Sequence, residues 1–442
     1  MLQRSMRGFL LALAGTLAML SACQAPPQPL MAYALQNPGR PLNGFAAPRF
    51  QGLNTQRDLM ALMQRFHAPL LQRNPTLIQY KYREMATSPF VFYRATAFVY
   101  YHDLRQESAL SQGVSVPLQG DFHLENMGTY LTSQGSFAYD ANDFDEAVTG
   151  PHTWDLDRLA VSVHLAAEEA GMGRRDRQAL NQHFLQRYIA QLQRIQQEPG
   201  LLQVPFDERY LDKEAGKQVR QARERFDRPA WLAEHSRNGR FVHSDKLLPA
   251  SADEARTVQQ ALQLYLAQRR EPAGFFAIKD IASRIAGKGS LGRYRYVVLV
   301  EGASAAPQDD LILEVKEAIT PAASWAGIAA APDEGQRIVQ ACRQALPGAD
   351  PYLGATRLDA YPAFVRELLD KETVKLDKLS RVKDYESFLD SVALIMARLH
   401  ARSGQIPALL SQTAALAPEI HSFADRYFEQ VKADHELFRR SL

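Results

Sequence analysis

Cysteine is almost missing from this chain: Cys23 and Cys342 are the only two among 442 residues. With Cys23 assigned below to lipid attachment, one thiol remains and no intramolecular disulfide can form. An excess of charge is missing too. Lys and Arg total 51 against 49 Asp and Glu, and Arg4 and Arg7 lie in a segment expected to be removed, which leaves 49 against 49. A balanced protein has no global attraction for nucleic acid, so no nucleic-acid partner is expected, although a local basic patch can still serve one anionic ligand. Beyond the N-terminus no stretch approaches about 18 consecutive apolar residues, the length that marks a spanning helix. No internal repeat is present either. What remains is 46% hydrophobic, enough for two or three globular domains.

The N-terminus reads as an address. Arg4 and Arg7 precede an apolar run from Phe9 to Leu20, too short to span a bilayer, followed by Leu20-Ser21-Ala22-Cys23. A positive start, a short apolar run and small residues before a cleavage point fit a secretory signal over residues 1–22. The final four residues resemble the bacterial lipobox, in which Cys23 becomes the lipid-carrying N-terminus; an ordinary signal peptide that happens to contain a cysteine is the alternative. The expectation is an exported lipoprotein held at a bacterial membrane by lipid on Cys23. Residues 23–52 contain prolines at 26, 27, 29, 38, 41 and 48 and read as a semi-extended tether reaching roughly 90 Å at about 3.1 Å per residue.

The body divides by pattern. Residues 55–108 show apolar positions at helical spacing, with a second helix over Tyr93–Leu104. Short strands and turns fill 115–150, and Trp154–Ala170 and most of 176–270 are helical. From Gly274 the pattern turns to strands: RYRYVVLVEG and DLILEVKEA read as a hairpin, and YPAFVREL as another strand. Helices are expected over Asp333–Ala345, Tyr385–Arg402 and Pro418–Phe438. The boundaries follow: a helical lobe at 53–272, a small β-rich lobe at 273–368, and return helices at 369–442.

Three motifs carry chemistry. In Gly120-Asp121-Phe122-His123-Leu124-Glu125-Asn126, an aspartate and an asparagine five apart on a loop can address one spot. Asp121 would accept a hydroxyl proton and Asn126 ligate Mg²⁺ through its amide oxygen; alone, the spacing also suits a polar turn. The second motif is Asp143-Phe144-Asp145-Glu146-Ala147, followed by Gly150-Pro151 and Trp154-Asp155-Leu156. Asp143 can complete the metal site, and Asp145 can hold a second metal. A calcium loop over 140–145 fails, because Phe144 takes a ligand position and Asp145 the place of a required glycine. Asp155 begins a helix and reads as a cap or a tie to the loop.

The third motif, Gly287-Lys288-Gly289-Ser290-Leu291-Gly292, feeds a strand rather than the helix that a dinucleotide fold requires. A Gly-rich turn before RYRYVVLV suits a flap whose backbone N–H groups approach nucleotide phosphates. Alternation in LILEVKEA places Ile312, Glu314 and Lys316 on one face, so Lys316 can reach the same phosphates. Between 268 and 295 seven basic residues face two acidic ones, a patch suited to a polyphosphate. Arg94 is a further candidate phosphate contact from the helical side, or else a surface residue.

The segments G-D-F-H-L-E-N and D-F-D-E-A-x-x-G-P-x-x-W-D-L resemble the catalytic and metal-binding segments of aminoglycoside-phosphotransferase-like kinases, without a gap inside either. Together with RIAGKGSLGRYRY, LEVKEA and AFVRELLD they resemble an uncharacterised bacterial family, domain of unknown function 2252, over roughly residues 50–410. The resemblance implies an α+β, circularly permuted protein-kinase-like fold, with a small β-rich nucleotide lobe inserted in a larger helical lobe. It makes Asp121 the catalytic aspartate and Asn126 and Asp143 metal ligands. Gly287, Gly289, Ser290 and Gly292 become the phosphate flap and Lys316 the phosphate lysine. Glu334, in the helix after Lys316, stands where a partner for that lysine is looked for, although it also suits a helix-dipole residue. The implied chemistry is Mg²⁺-dependent transfer of phosphate from ATP to an unidentified hydroxyl-bearing acceptor. A lipid-anchored binding module without turnover and a nucleotidyl transferase using the same residues remain alternatives. If one cleft unites the motifs, Lys316 must lie within about 10 Å of Asp143.

Overall fold

The computed structural model describes residues 57–105, 112–272, 274–287 and 291–442. The leader, the tether and Cys23 therefore lie outside the described residues, as do Lys288, Gly289 and Ser290 of the flap. The architecture is α+β.

Helices α1 (Leu59–Arg73) and α2 (Pro75–Met85) each begin on a side-chain cap. Asp58 accepts from the Ala61 N–H, and Asn74 accepts from that of Leu77 with Pro75 already set for the first turn. The helix expected over Tyr93–Leu104 is instead two, α3 (Pro89–Ala95) and α4 (Ala97–Leu104). They meet at buried Thr96, whose hydroxyl donates to the Phe92 carbonyl and competes with the backbone ladder there. Strands β1 (Ser115–Leu118), β2 (Met127–Leu131), β3 (Phe137–Ala141) and β4 (Val148–Pro151) form two small antiparallel pairs, β1 with β4 and β2 with β3.

Helix α5 (Thr153–Glu169) follows, with every residue from Thr153 to Ala167 buried. It runs through the middle of the helical lobe, and α6 (Arg174–Gln197), α7 (Lys213–Arg225) and α8 (Arg228–His235) come next. A short hairpin, β5 (Ser236–Arg237) and β6 (Arg240–Phe241), leads to β7 (Leu247–Pro249) and α9 (Ala252–Leu266).

The second layer is one six-stranded antiparallel sheet. It comprises β7, β8 (Ile278–Arg284), β9 (Arg295–Val300), β10 (Leu311–Glu317), β11 (Gly354–Leu358) and β12 (Tyr361–Glu367), and its order is β11-β12-β10-β9-β8-β7. Helix α10 (Glu334–Ala345), capped by Asp333, lies between β10 and β11 in sequence. The hairpin read from the sequence is β9 with β10, Lys316 opposite Arg295. The sheet extends further toward the N-terminus than residue 273, because β7 joins it.

Alternation sorts the two faces. Val298, Leu313, Val315 and Val365 pack with Tyr265 and Leu262 of α9 on the outer face. On the inner face Ala282, Val297, Leu299 and Ile312 pack under Trp231, Leu232 and Phe241, and Phe364 packs with Ile338 and Val339 of α10.

The chain returns through a linker whose Glu372 exchanges hydrogen bonds with Thr129 of β2, then through α11 (Val382–Ala401) and α12 (Ile406–Ser441). Helix α12 starts well before Pro418. That proline and Ala414, whose carbonyl loses its bond, both face solvent, so the carbonyl is open to solvent and the break costs less than it would in the core. Two ion-pair sets fasten the first helices to both layers. Arg57 bridges Asp103 and Asp434, all three buried, and Arg73 meets Glu317 at 2.6 Å while stacking on Tyr294 and Tyr361.

Candidate functional site

The site begins with a turn that only glycine tolerates. Gly120 has φ +82°, and a Cβ there would stand 2.0 Å from the Glu146 carbonyl oxygen. Asp155, fully buried, fixes this turn by accepting the Gln119 N–H at 2.8 Å and the Gly120 N–H at 3.0 Å, and Tyr101 donates to the Gly120 carbonyl at 2.6 Å. The reading of Asp155 as a tie to the loop describes these contacts.

The turn presents Asp121 to a cavity of about 50 Å³ whose walls include Phe66, Arg94, Phe98, Asp121, Asn126 and Asp143. Asp121 meets the Arg158 guanidinium at 2.7 Å. Arg158 is fully buried, lies over the Tyr93 ring at 4.0 Å and donates to the Tyr93 carbonyl at 2.9 Å. Burial pushes the Asp121 carboxyl up to about 6 despite that cation, so near neutral pH it is a usable base. Asn126 donates from Nδ2 to the Asp121 carbonyl at 3.0 Å, which fixes its amide and leaves the amide oxygen for a ligand. Arg94 lines the cavity and pairs with Glu125.

Lys316 comes from the other layer. Its Nζ is 3.6 Å from Asp143 and in direct contact with Asp145, although Asp143 and Lys316 are 173 positions apart in sequence. Lys316 is buried, whereas the Asp143 side chain is 52% exposed toward the cleft. Desolvation in the cleft works against ionising Asp143, but Lys316, Arg366 and Arg295 outweigh it and hold the carboxyl well below its ordinary range. Asp145 also approaches Arg293, at 4.0 Å.

Glu334 does not reach Lys316. It pairs with Arg337 one turn along α10 and accepts the Ala331 N–H, so its role is local to the start of that helix. The partners of Lys316 are the two aspartates. What α10 sends toward the site is Arg337, which donates to the carbonyls of Asp145 at 2.7 Å and Ile319 at 2.9 Å and to that of Ala147. Arg337 thereby pins the segment carrying Asp143 and Asp145. Of the Gly-rich turn, Gly287 and Gly292 are described, with φ +81° and +89°; Gly292 lies against Ile78 and Leu70, and neither glycine lines the cavity that holds Asp121.

Glu146 is a cleft residue that motif reading passed over. It lines the same cavity, accepts the Ala322 N–H, and is pushed up to about 7 by burial against the pull of Arg293. Arg158 and Arg337 were missed as well. The only signals were Arg158 three residues after Asp155 and Arg337 three after Glu334, and neither spacing reveals a partner on another element.

Among the described residues no three His, Cys, Asp or Glu side chains form a metal cage. The oxygen donors Asn126, Asp143 and Asp145 nevertheless suit a hard cation that takes one or two carboxylates and completes its shell with water and phosphate oxygens. No helix among the described residues is long and apolar enough to cross a membrane.

A family model described as "Uncharacterized protein conserved in bacteria (DUF2252)" matches residues 73–441. The chain belongs to that family. No curated protein and no solved structure matches it.

Proposed function

We propose that this member of the bacterial family carries a permuted, kinase-like nucleotide site that transfers a phosphorus-containing group from ATP to a hydroxyl, with Mg²⁺ held by Asn126 and Asp143. The observation that carries the reading is the meeting of Lys316 with Asp143 and Asp145 at the cavity containing Asp121 and Asn126. Kinase sites need these parts together: a lysine on the third strand of the run that holds the Gly-rich turn, a metal-binding aspartate and asparagine, and an aspartate for the acceptor proton. Here Gly287 and Gly292 lie between β8 and β9, and Lys316 stands on β10, the third strand of that run.

The residues divide the work. Asp121, kept in place by Arg158, orients the acceptor hydroxyl and takes its proton. Lys316 faces the developing negative charge on the phosphate oxygens. Asp155 and Arg337 hold the two loops in register. Bound Mg²⁺ would neutralise phosphate charge, and Asp145 would turn to a second ion or remain with Lys316. Terminal phosphoryl transfer and nucleotidyl transfer draw on the same side chains and differ in which end of the nucleotide enters the cleft first.

The test is calorimetric ATP binding with and without Mg²⁺. The parent chain should bind ATP more tightly with the metal, and Asp143→Ala should lose that dependence while keeping its fold. Binding that ignores both Mg²⁺ and the substitution would remove Asp143 and this reading.

A further inference from the structure

The Gly-rich turn meets the cavity through the residue that follows it, not through its glycines. Arg293, next in the chain after Gly292, lines the cavity with Asp121, Asn126 and Asp143. The backbone on both sides of it is held. A Cβ on Gly292 would stand 3.0 Å from Ile78 and 3.5 Å from Leu70, so this end of the turn is seated on α1 and α2. On the other side the Tyr294 N–H donates to Glu317 at 2.9 Å, and the Tyr294 ring lies under the Arg73 guanidinium at 4.0 Å. Between these anchors the Arg293 side chain is only 6% exposed.

Its guanidinium lacks acceptors. Among the described residues Arg293 makes no hydrogen bond, and the one carboxylate that approaches it is Asp145, at 4.0 Å, too long for a hydrogen bond. The carboxylates of the cavity have nearer partners. Asp121 meets Arg158 at 2.7 Å, Lys316 is in contact with Asp145 and 3.6 Å from Asp143, and Glu146 accepts the Ala322 N–H. Arg94, the other cation of the lining, is paired with Glu125. The neighbours on α1 and α2 yield to Arg293 and do not pair with it: burial, with Arg293 adding to it, pushes the Lys81 ammonium down to about 7, and burial, Lys81 and Arg293 hold His67 well below its ordinary range. A guanidinium carries five N–H donors, and burying it without acceptors is costly. Placed in the wall of a cavity beside Asp121, such a group fits phosphate oxygens, which it binds two at a time.

We propose that Arg293 is a catalytic residue of the transfer, binding two oxygens of the phosphorus that Asp121 faces and stabilising the charge that builds on them as the bond to the acceptor forms. The proposal rests on the nucleotide-site reading above. In the step the acceptor oxygen bonds to that phosphorus and its proton passes to the Asp121 carboxylate. The bond from the phosphorus to the bridging oxygen of the neighbouring phosphate breaks, and that oxygen keeps the electron pair. Arg293 exchanges no atom. Its donors are positioned by the turn before the step begins, the condition under which such stabilisation is most effective.

The test uses the full chain with Mg²⁺, reading ATP turnover, calorimetric binding of ATP and of adenosine, and thermal unfolding. Arg293→Gln should lower kcat by about 100-fold or more, the effect of removing one preorganised charge-stabilising donor. It should raise KM by about tenfold at most and leave adenosine binding unchanged. Arg293→Lys, which keeps the charge but loses the fork, should fall between Arg293→Gln and the parent. Without nucleotide, Arg293→Gln should unfold at or above the parent midpoint, because it removes a buried cation that lacks acceptors. An arginine that merely supports Asp145 behaves differently: Arg293→Gln then unfolds below the parent, and adding it to Asp145→Asn lowers turnover no further. Either result, or turnover by Arg293→Gln within about threefold of the parent, would overturn the proposal while leaving the nucleotide site standing. If the parent binds ATP without turning it over, ATP binding decides: about tenfold weaker in Arg293→Gln with adenosine unchanged supports the contact, and equal affinity overturns it. Absence of ATP binding by the parent would overturn the nucleotide site itself and the role of Arg293 with it.

Discussion

Asp155→Ala isolates the physical basis of the turn that carries Asp121. Asp155 is fully buried and supplies the acceptors for two consecutive backbone N–H groups, those of Gln119 and Gly120. Alanine leaves both donors without a partner in a place where water enters only by disrupting the packing. Each unsatisfied buried donor costs about 1–3 kcal/mol, so the expected loss is about 2–6 kcal/mol. His400, 3.5 Å from the same carboxylate, adds a smaller term. For a chain of this size a kcal/mol corresponds to about 2 °C in midpoint, which puts the shift at about 4–12 °C. Thermal unfolding followed by circular dichroism reads it, with Asp377→Ala as the control because Asp377 is exposed on the linker and surface substitutions stay within about 0.5 kcal/mol. The consequence should also be functional: with the turn released Asp121 loses its position, and Mg²⁺-dependent ATP turnover should fall with the midpoint. An Asp155→Ala midpoint within about 1 °C of the control would refute the idea that this carboxylate holds the loop, since even one unsatisfied donor should exceed that.

Gly120→Ala should be worse tolerated than an ordinary glycine replacement, because it combines φ +82° with a Cβ 2.0 Å from a backbone oxygen; a soluble variant with parental ATP binding would contradict the close approach. Arg57→Met strands Asp103 and Asp434, both buried, and should cost about 3–5 kcal/mol, measured as a lowered urea midpoint. Glu146, raised to about 7 in the fold from an ordinary 4.5, binds its proton more tightly folded than unfolded. Its contribution to stability is therefore complete below about pH 4.5 and is lost as pH rises through about 7. Glu146→Gln should flatten that part of the stability profile, and an identical profile in the variant would show that Glu146 is not perturbed. Asp121, raised to about 6, should give turnover an acid limb near that pH, with the rate rising as the carboxyl ionises.

The motifs were legible because each packs its chemistry into a few consecutive residues. Asp121 with Asn126, Asp143 with Asp145, and the glycines at 287 and 292 all stand on loops between elements. The alternation in LILEVKEA placed Glu314 and Lys316 on one face, and the sheet has them on its inner side. The partners were not legible. Arg158 sits in a segment that reads simply as a helix, and nothing local says that its guanidinium turns to Asp121 rather than to solvent. Glu334 looked suited to Lys316 by chain order, but it sits at the start of α10 and meets Arg337, while Asp145 takes the lysine. Strands β8 and β11 escaped because they are short or carry polar residues on both faces, and pairing rather than propensity makes them strands. Pro418 was read as a helix start, whereas its solvent-facing position lets α12 run through it.

The most direct measurement is a structure of the full chain with Mg²⁺ and a slowly hydrolysed ATP analogue. The predicted result is a metal ion about 2.0–2.1 Å from oxygens of Asp143 and Asn126, with Lys316 on the polyphosphate and Asp121 facing the reacting phosphorus. Nucleotide found on another surface, or a cleft in which Lys316 still holds both aspartates at saturating nucleotide and metal, would contradict it.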